Sequence, residues 1–120
     1  MAKKIVVIDD EPDILKVLLF RLKALGCEIF PAATGTDGLA LIAAHTPDLI
    51  MVDYRLPDMD GLEIAKRVRG MDAVKDKPIL LVSASSGEDM RSLLKGSGIT
   101  DYVLKPFDPA KLLETIKKYL

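Results

Sequence analysis

Short apolar runs alternate with amphipathic stretches along the whole of this 120-residue chain. Four of the runs are continuous and rich in Leu, Ile and Val, instead of alternating with polar residues. Continuous runs of this length are typical of strands that are covered on both faces of a parallel sheet. The predicted strands are centred on residues 5–8, 49–52, 79–82 and 102–104, and a weaker one lies around 28–30.

The stretches between these runs have the spacing of amphipathic helices, with apolar residues recurring at intervals of three and four. The first stretch runs from Ile14 to Leu25 and is followed by Gly26, a residue type that commonly ends helices. The last helix is predicted to begin near Pro109, with Asp108 as its capping residue. Three further helices are predicted over residues 36–45, 61–71 and about 87–95.

The order of elements is therefore a strand followed by a helix, five times over. Parallel strands joined by helices have right-handed crossovers, which place helices on both faces of one sheet. We predict an α/β fold with a five-stranded, doubly wound parallel sheet. The length suits one domain, residues 1–120, because no repeat, low-complexity tract or linker divides the chain.

Charge and cysteine content exclude several classes of protein. Lys and Arg number 17 and Asp and Glu 18, so the net charge of −1 predicts no general attraction to nucleic acid or to an anionic membrane. The single cysteine, Cys27, excludes an intramolecular disulfide and a zinc finger. The start of the chain is too poor in apolar residues for a signal peptide, and no run approaches the roughly 20 residues of a membrane span. We therefore expect a cytoplasmic protein without membrane insertion.

Polar residues stand directly after four of the predicted strands. Asp9 and Asp10 follow the first strand, Asp53 the third, Ser83 the fourth and Lys105 the fifth. Ligands of open parallel α/β sheets bind beyond the carboxyl ends of the strands. If the strand order is the flavodoxin-like 2-1-3-4-5, the first and third strands are neighbours and the three aspartates converge on one rim.

Three carboxylates held this close repel one another unless a cation lies among them. Oxygen ligands suit Mg²⁺, with Mn²⁺ as the other candidate. The charges of three carboxylates, a divalent cation and Lys105 sum to zero, so the pocket could accept a phosphoryl group. A carboxylate can be the nucleophile for such a transfer and form an aspartyl phosphate, and Lys105 and the Ser83 hydroxyl would bind the phosphoryl oxygens.

With these residues in this order, the sequence resembles the receiver domains of response regulators, which are the phosphate-accepting modules of two-component signalling. The resemblance covers the whole chain and rests on five segments that occur in the same order at the ends of the predicted strands. They are Ile8-Asp9-Asp10-Glu11-Pro12, Pro47-Asp48-Leu49-Ile50-Met51-Val52-Asp53, Leu56-Pro57-Asp58-Met59-Asp60-Gly61, Ser83-Ala84, and Asp101-Tyr102-Val103-Leu104-Lys105-Pro106-Phe107.

The resemblance implies the flavodoxin-like strand order 2-1-3-4-5. It also implies a role for each residue of the site. Asp53 would be the phosphoacceptor, and Asp10, Asp53 and the backbone carbonyl of Arg55 would bind Mg²⁺ directly. Asp9 would act through metal-bound water. Ser83 and Lys105 would contact the phosphoryl group, so that the domain catalyses its own phosphorylation and dephosphorylation without acting as an enzyme on other substrates.

The resemblance also implies a switch and its partners. The Lys105–Pro106 bond is expected to be cis, and Tyr102 is expected to turn inward when Ser83 moves to the phosphoryl group. The phosphodonor would be a histidine kinase or a phosphotransfer protein. The downstream protein target would bind the surface of residues 87–120, with the domain a monomer or a phosphorylation-dependent dimer. No output domain is expected within 1–120, so the signal would pass by protein contact and not by direct contact with nucleic acid.

Three other functions are compatible with the predicted fold. A flavodoxin-like FMN carrier would need a loop rich in Ser, Thr and Gly after the first strand, where this chain has acidic residues. A phosphohydrolase with a nucleophilic aspartate on the first strand usually needs a larger chain for substrate selection. A receiver-like scaffold that binds partners without phosphorylation stays open, although the full set of site residues argues against it.

Overall fold

Five strands and five helices alternate along the chain in the computed structural model, which describes residues 2–84 and 88–120. The elements are β1 (Lys4–Ile8), α1 (Pro12–Lys23), β2 (Glu28–Ala32), α2 (Gly35–His45), β3 (Leu49–Asp53), α3 (Gly61–Arg69), β4 (Ile79–Ser83), α4 (Glu88–Leu94), β5 (Asp101–Leu104) and α5 (Pro109–Lys118).

The strands form one parallel sheet in the order β2-β1-β3-β4-β5. β1 and β3 are neighbours in register, with Ile8 opposite Val52, so their carboxyl ends lie at the same level. Asp53 lies opposite Val82 of β4 in the same way. The predicted fold class and strand order are confirmed.

Each face of the sheet carries its own apolar core. In β1, Ile5 and Val7 point to the face covered by α1 and α5, whereas Val6 and Ile8 point to the opposite core, which includes residues of α2, α3 and α4. All four side chains are almost fully buried. This two-sided burial explains why the strands are continuous apolar runs, since alternate residues serve opposite cores.

Helix ends differ from the sequence prediction by a few residues. α1 ends at Lys23, and Gly26 has a φ of 79° in the turn that follows the helix, a conformation that glycine adopts without strain. α5 begins as predicted, because the Asp108 carboxylate accepts a hydrogen bond of 2.9 Å from the backbone N–H of Ala110. The predicted start of the fourth helix at Gly87 lies outside the described residues. Over residues 2–84 and 88–120, no helix is both long and apolar enough to cross a membrane.

Candidate functional site

Three aspartates meet where β1 and β3 end. Asp53 is the last residue of β3, and Asp9 and Asp10 follow β1 directly. One carboxylate oxygen of each lies within 4.8 Å of those of the other two. Asp9 and Asp53 are buried, with 2% and 8% of their surface exposed, whereas Asp10 faces solvent. Two ionisable groups are thus held close together with little access to water.

Lys105, from the end of β5, lies against this acidic cluster. Its Nζ donates a hydrogen bond of 3.0 Å to Asp53 Oδ2 and lies 3.4 Å from Asp9 Oδ2. A third carboxylate, that of Glu11, accepts a hydrogen bond of 3.1 Å from the same amine. One ammonium group therefore neutralises part of the charge of three carboxylates.

The pKa values of these groups reflect both burial and charge. Burial raises the pKa of Asp9, the backbone N–H of Glu11 and the Lys105 ammonium oppose the rise, and the Asp53 carboxylate adds to it. For Lys105, burial alone would lower the pKa, but contacts with Asp53, Glu11 and Asp9 outweigh burial and raise it. Lys105 is therefore charged at neutral pH. Ionisation of Asp9 lowers the free energy of unfolding of the metal-free protein.

A cavity of about 320 Å³ opens at the carboxyl ends of the central strands. Its lining residues are Asp10, Glu11, Asp53, Tyr54, Arg55, Ser83, Ala84 and Lys105. The donor set is oxygen throughout, and one lysine does not balance the carboxylates around it. Both features fit a hard divalent cation such as Mg²⁺ better than a softer transition metal.

The remaining predicted residues lie at or near this cavity, with one exception. Ser83 is buried at the end of β4, and its backbone carbonyl accepts a hydrogen bond of 2.8 Å from the N–H of Lys105. Arg55 is exposed at the rim with its guanidinium 5.8 Å from the ring centre of Tyr54. The Lys105–Pro106 peptide bond is cis. Tyr102 is the exception: it lies outside the cavity, half-buried against the core that includes α3 and α4.

The family model of the response regulator receiver domain matches residues 5–117 of this chain. This chain belongs to the response regulator receiver domain family. Its general role is therefore that of a receiver in two-component signalling.

Solved structures resemble this receiver domain over nearly its whole length. The chemotaxis response regulator CheY4 of Vibrio cholerae is 31% identical, with all of both chains covered and a TM-score of 0.95. The receiver domain of a Pseudomonas aeruginosa sensor histidine kinase, which has magnesium in its active-site cleft, is 25% identical over 99% of this chain and 98% of its own, with a TM-score of 0.88. The activated receiver domain of Klebsiella pneumoniae RstA is 28% identical over 97% of each chain, with a TM-score of 0.87.

The loop between β3 and α3 is tightly folded in this receiver domain. Gly61 donates a backbone hydrogen bond of 2.7 Å to the carbonyl of Tyr54, and Arg55 and Asp60 form an antiparallel bridge across the loop. A Cβ at Gly61 would lie 2.6 Å from Leu81 Cδ1 and 2.8 Å from the Asp53 carbonyl oxygen. Only glycine fits there without displacing the loop.

Two site contacts were not predicted from the sequence. Glu11 binds Lys105 across 94 positions of the chain, and Asp58 binds the start of α2 across more than 20. Glu11 stands next to the Asp9–Asp10 pair in the sequence, but this position does not indicate that its side chain reaches Lys105. No local pattern marks Asp58, because its partners belong to another element.

Proposed function

We propose that this receiver domain accepts a phosphoryl group on Asp53 from the phosphohistidine of a histidine kinase or phosphotransfer protein. One observation carries the proposal: the buried Asp53 carboxylate lies beside both the Lys105 ammonium and the Asp9–Asp10 pair at the mouth of a cavity. A carboxylate in that setting lies open to a phosphodonor at the cavity and has a cation beside it for the charge that the phosphoryl group brings.

In this mechanism, an Asp53 oxygen attacks phosphorus while the phosphorus–nitrogen bond of the donor breaks, and its electron pair returns to the imidazole. Lys105 then donates a hydrogen bond to a phosphoryl oxygen, and the Ser83 hydroxyl donates a second. Asp10, Asp53 and the Arg55 carbonyl would hold Mg²⁺, with Asp9 acting through water. The ion would supply positive charge that reduces repulsion between the carboxylates and the incoming phosphoryl oxygens. Attack of water on phosphorus at the same site would break the phosphorus–oxygen bond to Asp53, release inorganic phosphate and restore the free carboxylate.

The surface beside the cavity suits a protein phosphodonor. A second groove of about 530 Å³ shares Glu11, Ala84 and Lys105 with the site and continues over apolar residues. These residues are Ile14 and Val17 of α1 and Pro106, Phe107 and Pro109 before and at the start of α5. A protein that places a phosphohistidine at Asp53 must cover this groove, and the apolar side chains would contribute to its binding.

The phosphoryl signal would leave through the face formed by α4, β5 and α5. Lys105 joins the site to β5, because its backbone N–H bonds Ser83 and its side chain bonds Asp53. Tyr102 lines a groove of about 750 Å³ on this face, together with Arg91 and Lys111. Movement of Ser83 and Lys105 toward a phosphoryl group would change the packing of Tyr102, and a downstream protein would bind the altered surface.

Radiolabelled acetyl phosphate, a small phosphodonor, tests the proposal in the presence of Mg²⁺. We expect label on the wild-type chain and none on Asp53→Asn, while Asp72→Asn, the same change at an exposed carboxylate outside the site, keeps wild-type labelling. Equal labelling of Asp53→Asn and wild type would refute the assignment of the phosphoacceptor. Absence of label on the wild type would favour the scaffold function instead.

A further inference from the structure

Asp58, in the middle of the loop between β3 and α3, holds the first two residues of α2. Its Oδ1 accepts a hydrogen bond of 2.8 Å from the backbone N–H of Gly35. Its Oδ2 accepts one of 2.9 Å from the N–H of Thr36 and another of 2.6 Å from the Thr36 hydroxyl. Both carboxylate oxygens are therefore used, and all three donors come from one helix end.

This contact joins two elements instead of merely capping a helix. α2 already has its own cap, since Thr34 Oγ1 accepts a hydrogen bond of 3.1 Å from the N–H of Asp37. The hydrogen bonds from Thr36 and Gly35 lower the pKa of Asp58 to about 2, so the acceptor stays ionised at neutral pH. Such charge-assisted hydrogen bonds are stronger than neutral ones.

The rest of the loop transmits the position of Asp58 to the cavity. The bridge between Arg55 and Asp60 ties the two sides of the loop together, and the Gly61–Tyr54 hydrogen bond closes its base. Asp58 lies at the tip between the bridged residues, and Arg55 lines the cavity beside the carboxylates. The loop is therefore fixed at its base by its own backbone and at its tip by α2.

We propose that Asp58 is a positioning residue for the cation site, which holds the loop tip on α2 and so fixes the backbone of Arg55 at the cavity rim. The inference rests on the proposed function, in which the Arg55 carbonyl is a ligand of Mg²⁺. Groups behind the direct ligands orient them, and losing such a group typically weakens metal binding. A loop released from α2 would have to be ordered each time the cation binds.

Mg²⁺ affinity, measured by calorimetric titration of the full chain, tests this inference without any phosphorylation. Asp58→Ala should raise the dissociation constant about tenfold, the lower end of the usual effect of outer-shell partners. Thr36→Val removes only the hydroxyl donor, outside the cavity, and should weaken binding about threefold in the same direction. The double variant should bind no more weakly than Asp58→Ala, because both changes break one contact.

Asp37→Asn is the matched control, because it removes one exposed carboxylate from the first turn of the same helix. Its Mg²⁺ affinity should stay within about twofold of wild type, since long-range attraction between exposed charges is screened. Amide hydrogen exchange at Gly35 and Thr36 reports the contact directly and should accelerate in Asp58→Ala but not in Asp37→Asn.

The outcomes separate this inference from the proposed function. If the wild type binds Mg²⁺ and is labelled on Asp53, but Asp58→Ala and Thr36→Val bind Mg²⁺ as tightly as wild type, the positioning role is refuted and the phosphoacceptor function stands. If Asp37→Asn weakens binding as much as Asp58→Ala, the effect is one of charge alone and the positioning role is again refuted. If the wild type shows no saturable Mg²⁺ binding, the cation site fails and the inference fails with it.

Discussion

Replacing Asp9 by Asn should stabilise the metal-free protein. Asp9 is 2% exposed, and its carboxylate lies within 4.8 Å of an oxygen of Asp10 and of Asp53. The change removes a buried negative charge and preserves the shape of the side chain. It also preserves an acceptor for the backbone N–H of Glu11, which lies 2.9 Å from Asp9 Oδ1.

The size of the effect follows from the distances and from burial. At an effective dielectric constant of about 20, two unit charges separated by the 4.8 Å limit, as for Asp9 and Asp53, repel by about 3.5 kcal/mol. Attraction to Lys105 at 3.4 Å returns about 5 kcal/mol on the same scale. Solvent screens the exposed Asp10, so burial of Asp9, which is the largest cause of its raised pKa, outweighs the attraction to Lys105 and decides the sign. We expect Asp9→Asn to raise the free energy of unfolding by about 1–2 kcal/mol, or about 4–8 °C in melting temperature.

The pH dependence has a definite sign. Because the pKa of Asp9 is raised above its ordinary 3.8 in the folded protein, its contribution to stability is present below that value and is lost as pH rises through the folded pKa. The advantage of Asp9→Asn should therefore be absent at pH below 3.8 and should grow as the pH rises toward neutral. Thermal and urea unfolding in a chelating buffer, followed by circular dichroism over this range, measure it.

Mg²⁺ should reverse the ranking, because a divalent cation stabilises the ionised cluster of the wild type more than that of the variant. Asp72→Asn, at an exposed position, is the control for removal of a carboxylate and should leave stability nearly unchanged. A metal-free Asp9→Asn protein that is less stable than wild type at pH 7 would refute the reasoning, since Lys105 would then more than compensate the acidic cluster.

Two further predictions concern the framework around the site. The Arg69 guanidinium donates hydrogen bonds of 2.7–3.0 Å to the carbonyls of Gly98, Lys75 and Lys77. Arg69→Met should therefore lower the free energy of unfolding, measured in urea, by about 2–4 kcal/mol. A loss below about 0.5 kcal/mol would contradict this role. Gly61→Ala should lower the free energy of unfolding by about 1–3 kcal/mol and weaken Mg²⁺ binding, because the new Cβ would lie 2.8 Å from the Asp53 carbonyl oxygen. Unchanged stability and Mg²⁺ affinity would contradict this prediction and show that the loop accommodates the methyl group.

The sequence alone predicted the elements of the fold because their signals are local. In runs such as 5–8 and 49–52, alternate residues are buried in opposite cores. Every consecutive residue must therefore be apolar, and the sequence shows this directly. Helix ends were predicted less closely, because Ala24 after α1 keeps helical backbone angles (φ −62°, ψ −22°) although the helix ends at Lys23. Gly26 was placed at the helix end and lies in the turn that follows Lys23.

The convergence of Asp9, Asp10 and Asp53 was predictable only with the strand order. Alternation of strands and helices establishes a parallel sheet, and the carboxyl ends of its strands then lie on one side. Which strands are neighbours depends on how the crossovers run, and the resemblance to receiver domains supplied that order. The structure confirms it, with β1 beside β3.

Contacts between side chains distant in sequence were decided by the tertiary structure. Nothing near Glu11 indicates that its carboxylate reaches Lys105, and nothing near Asp58 indicates that the loop tip rests on α2. Both contacts depend on where loops run after the strands end, which follows from packing of the whole domain instead of a repeating pattern. The sequence by itself determined the strands, the helices and the residue types at the carboxyl ends of the strands. Only the folded chain determined which groups hold Lys105 and the β3–α3 loop in place.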